Sequence, residues 1–116
     1  MYIPYGRQSI SEEDIQAVVD VLRSDYLTTG PKVTEFENIV ANYVGAKYAV
    51  AVSNGTAALH IACLAAGIQS GDEVIVSPIT FAASANCVLY CGGKPVFADI
   101  KPDTYNIDPE DIERKI

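Results

Sequence analysis

The stretch Val50-Ala51-Val52-Ser53-Asn54-Gly55-Thr56-Ala57-Ala58-Leu59 decides the fold. It opens on apolar residues, breaks at a short polar turn with one glycine, and resumes as Ala- and Leu-rich sequence. That order predicts a buried strand from Tyr48 to Val52, a tight turn, and the first turn of a helix. Working outward, Val74-Ile75-Val76 and Pro95-Val96-Phe97-Ala98 are short apolar runs of the same kind. They read as two further strands covered on both faces. Between the strands the pattern is helical, from Thr56 to Ala66 with Gly67 as its stop, and roughly from Phe81 to Tyr90 with Gly92-Gly93 as its stop. Strands alternating with helices of about ten residues imply right-handed crossovers, so the fold class is α/β with a mainly parallel sheet and flanking helices.

Upstream, Ser11-Glu12-Glu13-Asp14 offers a serine cap and an acidic first turn, and Ile15, Val18, Val19 and Leu22 recur at helical spacing. One buried stripe is expected. Pro31 suits the first position of a second helix, with Val33, Phe36, Val40 and Tyr43 on its apolar side and Gly45 as a left-handed cap. Downstream, Asp108-Pro109-Glu110-Asp111 starts another helix that runs out at Ile116. So short a helix without a carboxyl-terminal cap leads us to expect a chain cut from a longer one.

With 116 residues, 49% of them hydrophobic, the chain has material for one compact domain. Its formal charge of −7 is spread through helices as an acidic surface. Only eight Lys and Arg residues are present, too few and too scattered for duplex nucleic acid to be a partner. No apolar run approaches the ~20 residues of a spanning helix, and the first residues lack the regions of a signal peptide, so no membrane association is expected. Cys63, Cys87 and Cys91 form no CxxC pair, which favours small core residues in a reducing cytoplasm over a disulfide framework or a zinc site. His60, the single histidine, sits in an apolar helical run and reads as packing.

Two segments carry chemistry. In Ser53-Asn54-Gly55-Thr56-Ala57 the unpaired N–H groups and positive dipole end of the coming helix form an anion site, and glycine permits close approach of a phosphate. Asn54 or Thr56 serving only as a helix cap is the competing reading. In Ser77-Pro78-Ile79-Thr80-Phe81 another strand ends where another helix starts, and ligands of open parallel sheets lie beyond the carboxyl ends of strands. There Phe81 is either a face for a flat cofactor or ordinary core.

The order of strand, SNGTAA, helix, strand, PITF, helix and GGKPVFADI, preceded by Tyr5-Gly6-Arg7 and Leu27-Thr28-Thr29-Gly30-Pro31, strongly resembles the sugar aminotransferases of the DegT type. The resemblance covers the whole sequence. The run from Pro78 to Ile100 is similar to enzymes that aminate C4 of a nucleotide-linked 4-keto-6-deoxy-hexose, including those of pseudaminic acid and spore-coat polysaccharide synthesis. The resemblance implies the type I fold of pyridoxal 5'-phosphate (PLP) aminotransferases, with residues 1–30 as an amino-terminal helix and substrate-lining segment and 31–116 as the start of the cofactor-binding large domain. By the family pattern Gly55, Thr56 and Ala57 hold the cofactor phosphate with Asn54 beside them, while Phe81 stacks on the pyridine ring. Tyr5 and the segment Asp25, Tyr26, Leu27, Thr28 and Thr29 line the sugar-nucleotide pocket. Partners implied are a nucleotide-linked keto-sugar, an amino donor expected to be glutamate, and a second subunit in a homodimer.

The family takes its Schiff-base lysine and the acid beside the pyridine nitrogen from segments beyond this span. None of Lys32, Lys47, Lys94, Lys101 and Lys115 matches the catalytic motif. The chain alone is therefore expected to be inactive, with no catalytic residue of its own, and its Tyr48–Ser53 strand to lack its usual neighbour. The rival class is a regulatory or nucleotide-binding α/β module, but such a module calls for GxGxxG or GxxxxGK[ST], and neither occurs.

Overall fold

The computed structural model describes residues 3–116. The elements in chain order are α1 (Glu12–Leu22), α2 (Pro31–Val44), α3 (Gly55–Ala65), β1 (Glu73–Val76), α4 (Ala83–Tyr90), β2 (Lys94–Phe97) and α5 (Pro109–Glu113). They fall into two compact units, Met1–Ala51 and Val52–Ile116.

In the first unit, α1 starts where its chemistry dictates. Ser11 Oγ accepts the Asp14 N–H at 3.2 Å, and Asp14 Oδ2 accepts the Ser11 N–H at 2.8 Å, a reciprocal capping box. Pro31 occupies the first turn of α2, and Gly45 ends that helix with a φ of 70°, a conformation that costs an L side chain strain. Their apolar stripes are not buried as expected. Ile15, Val18 and Leu22 of α1 are exposed, as are Val33, Phe36 and Tyr43 of α2, and only Ala41 is fully covered. Amphipathic spacing forms a stripe, but a second surface must cover it.

Residues 48–52 form no strand, which corrects the expected first strand. Their apolar content is right and a partner is missing, since a strand exists only through its ladder. One backbone donor is satisfied by a side chain instead, with the Ala51 N–H giving a 2.9 Å hydrogen bond to Glu37 Oε1. Tyr48 and Val50 stay exposed.

The second unit is built on the β1–α4–β2 crossover. Its strands pair in parallel, Glu73 opposite Lys94 through Val76 opposite Phe97. This bears out the α/β class and the parallel sense, in a sheet of two strands among the described residues. Val76, Cys87 and Val88 form the centre of the core, with Cys63, Ile68 and Val74 packed around them. Two strands cannot cover both faces of one another, so the burial expected on both faces is reached only in part. Helix α3 packs on α4, where His60 meets Tyr90 edge-on at 5.3 Å between ring centroids, and histidine as a packing residue is what the sequence suggests. Beyond β2, a bridge between Ile100 and Ile107 closes a turn, and α5 is capped by Asp108, whose Oδ1 accepts the Glu110 N–H at 3.0 Å.

Candidate functional site

The phosphate-loop candidates occupy the amino terminus of α3. Asn54 is the cap residue, and its Oδ1 accepts the Ala57 N–H at 2.9 Å. Its carbonyl accepts the Ala58 N–H at 3.1 Å. Capping by Asn54, one of the two readings open at the sequence level, is therefore real, and it engages one of the donors expected to face the phosphate. Among the described residues the N–H groups of Gly55 and Thr56 make no hydrogen bond, as the first positions of a helix dictate. A Cβ placed on Gly55 would meet no atom within 4 Å. No internal contact demands glycine there, which leaves the approach of a ligand as a reason for it. An anion fits this turn, with two free amide donors, a positive helix end and an open backbone.

Phe81 lies two residues before the first residue of α4, in the same unit as the Asn54–Ala57 turn. Its side chain is 77% exposed, so the ordinary-core reading is removed within this chain and the ring is open to a flat partner. Helix α4 begins at Ala83 rather than Phe81, and its cap residue Ala82 has no side chain able to accept a bond. Thr80 Oγ1 and Ser84 Oγ close the turn instead, 3.0 Å apart. The sequence pattern does not single out these hydroxyls; the available cue was two of them at i, i+4 spacing around an aromatic residue at a helix start.

Of the substrate-lining candidates, Tyr26, Leu27, Thr28 and Thr29 come together around a cavity of about 250 Å³ in the first unit. Asp25 and Tyr5 are exposed and do not line it. Ser24 orders the turn, its Oγ donating to the Val21 carbonyl at 2.8 Å and accepting the Tyr26 N–H at 3.2 Å. Gly30 completes it by close approach, since a Cβ there would fall 2.6 Å from Tyr26 Cβ.

The three thiols are free. Burial, followed by the neighbouring Cys87 thiol, pushes Cys63 up to about 11, far from the reactive thiolate range. Among the described residues no His, Cys, Asp and Glu cluster is placed to hold a metal ion, and no helix is long and apolar enough to cross a membrane.

The backbone that carries these two helix starts, a parallel β1–α4–β2 unit with α3 beside it, matches sugar aminotransferases of known structure. The chain superposes on the putative sugar aminotransferase Spr1654 from Streptococcus pneumoniae, solved in PLP-form among others, with a TM-score of 0.90 at 38% identity over 98% of this chain and 29% of that one. It belongs to the DegT/DnrJ/EryC1/StrS aminotransferase family, whose model matches residues 8–116. The spore coat polysaccharide biosynthesis protein SpsC of Bacillus subtilis is 50% identical over 115 residues, 99% of this chain and 30% of SpsC. PseC of Helicobacter pylori, an aminotransferase involved in the biosynthesis of pseudoaminic acid, matches with a TM-score of 0.89 at 37% identity over 97% of this chain and 31% of PseC. The chain thus spans about 30% of the length of the curated relatives it matches.

Proposed function

We propose that this span supplies the phosphate grip and the ring-stacking face of a PLP-dependent aminotransferase that aminates a nucleotide-linked 4-keto-6-deoxy-sugar, with glutamate as donor, for cell-surface or spore-coat polysaccharide. The observation that carries the reading is the Asn54–Ala57 turn, whose Gly55 and Thr56 amides are free at a helix amino terminus with an unobstructed backbone. When bound, PLP supplies the electron sink for moving an amino group. Gly55 and Thr56 donate to its phosphate, the Thr56 hydroxyl adds a donor, and Asn54 keeps the turn in shape from beside it. Phe81 faces the pyridine ring. Tyr5 and the 25–29 segment, both within the substrate-lining residues 1–30, contact the sugar nucleotide, a role that suits the cavity around Tyr26–Thr29. Function as a homodimer in the cytoplasm completes the reading.

None of the five lysines here sits in a catalytic motif, so this chain by itself binds without turning over. Incubated with glutamate and a keto-sugar nucleotide, the purified 116-residue chain is expected to release no aminated product; measurable turnover would overturn that. The full-length polypeptide carrying this span should show a visible absorption band of bound PLP that vanishes on borohydride reduction. A full-length protein that stays colourless after dialysis against excess PLP would remove the function proposed for it.

A further inference from the structure

Phe81 is held by its backbone rather than by packing. An exposed ring can visit several rotamers, so its direction depends on how firmly the backbone beneath it is fixed. Ala82 caps α4 without any side-chain bond, which leaves the turn to other groups. Thr80 Oγ1 and Ser84 Oγ pair across it at 3.0 Å, and the Ser84 N–H donates to the Phe81 carbonyl at 2.9 Å. The far side of the bracket is anchored in the core, because Ala83 and Cys87 are buried and Cys87 Sγ donates to the Ser84 carbonyl at 3.3 Å. A hydroxyl pair at the surface buries little and adds little to global stability. What it constrains is the direction in which residue 81 leaves the chain.

We propose that Thr80 and Ser84 are positioning residues, their paired hydroxyls locking the turn so that Phe81 presents a preset face to the cofactor ring. This rests on the stacking role given to Phe81 above. The effect is pre-organisation: an ordered turn spares the bound state the cost of ordering it.

The test is PLP titration of the full-length apoprotein, following cofactor absorbance and protein fluorescence, with apoprotein melting as the companion measurement. Phe81→Ala is expected to weaken binding about tenfold. Ser84→Ala and Thr80→Val should each weaken it about three- to tenfold, the scale of one lost hydrogen bond, while Ser84→Thr keeps wild-type affinity. Melting temperatures of all four apoproteins should match the wild type. In the Phe81→Ala background, adding Ser84→Ala should cost nothing further, because the hydroxyl acts through the ring. Wild-type affinity in both Ser84→Ala and Thr80→Val would overturn the proposal, and so would an undiminished loss in the double variant. Wild-type affinity in Phe81→Ala would instead remove the stacking role itself, which separates failure of the underlying reading from failure of the bracket.

Discussion

Gly55 separates two demands that often coincide at a glycine, those of the fold and those of a ligand. Its backbone is helical, and a methyl group there would touch nothing within 4 Å. Gly55→Ala is therefore expected to leave the thermal midpoint unchanged or slightly raised, since alanine is favoured over glycine in a helix by up to about 1 kcal/mol. The same substitution should weaken PLP binding by about tenfold by obstructing the phosphate, as read by cofactor titration of the full-length protein. Unchanged affinity would show that the phosphate binds elsewhere. Residue-level chemistry of this kind was legible in the sequence, because SNGT followed by Ala and Leu is a turn and a helix start by local rules alone. The division of labour inside it was not: Asn54 takes the Ala57 amide and leaves Gly55 and Thr56 free, which depends on a side-chain torsion that no pattern specifies.

Between elements, Gly93 is a tight joint in the second unit. It is buried where α4 meets β2, and an added Cβ would sit 2.9 Å from Ile68 Cγ2 and 3.0 Å from Val88 Cγ1. Gly93→Ala should cost about 1–3 kcal/mol of stability by overpacking, measurable as a lower urea midpoint at unchanged slope. The Gly92-Gly93 pair was readable as a helix stop, but Gly93's packing against Ile68 and Val88 is a non-local fact. The clasp between the end of β2 and α5 carries a pH signature. The Asp99 N–H donates to Asp111 Oδ2 at 2.6 Å, and Arg114 lies 3.1 Å from Oδ1. Foremost that backbone bond, then Arg114 and the charge of Lys115, hold the Asp111 carboxyl below its usual 3.8 against an opposing effect of burial. A carboxyl depressed by folding stabilises the folded state fully above its unfolded value, and that contribution is lost as pH falls through the lower folded value. Urea midpoints followed from about pH 6 to about pH 2 should fall less steeply for Asp111→Asn than for the wild type. Equal slopes would mean that the clasp does not couple to folding.

For the molecule as a whole, the two units differ in how much core each contains. The second has a packed centre at Val76, Cys87 and Val88, whereas α1 has no buried residue and 48–52 has no ladder. Hydrogen exchange of the chain alone should reflect this, with slow amides in β1, β2 and α4 and fast ones in α1 and 48–52. Uniform strong protection in a monodisperse sample would contradict it.

Local order along the chain determined much of this protein: the serine cap of α1, the proline start and glycine end of α2, and the turn before α3. Each depends on neighbours a few positions away, so composition and spacing suffice. Only the tertiary structure decided which apolar stripes find cover, that 48–52 stays unpaired with Glu37 answering its amide, and that Phe81 stands out on a hydroxyl-bracketed turn. Burial and strand pairing need a second surface, and whether one is present is a property of the folded chain rather than of any segment in it.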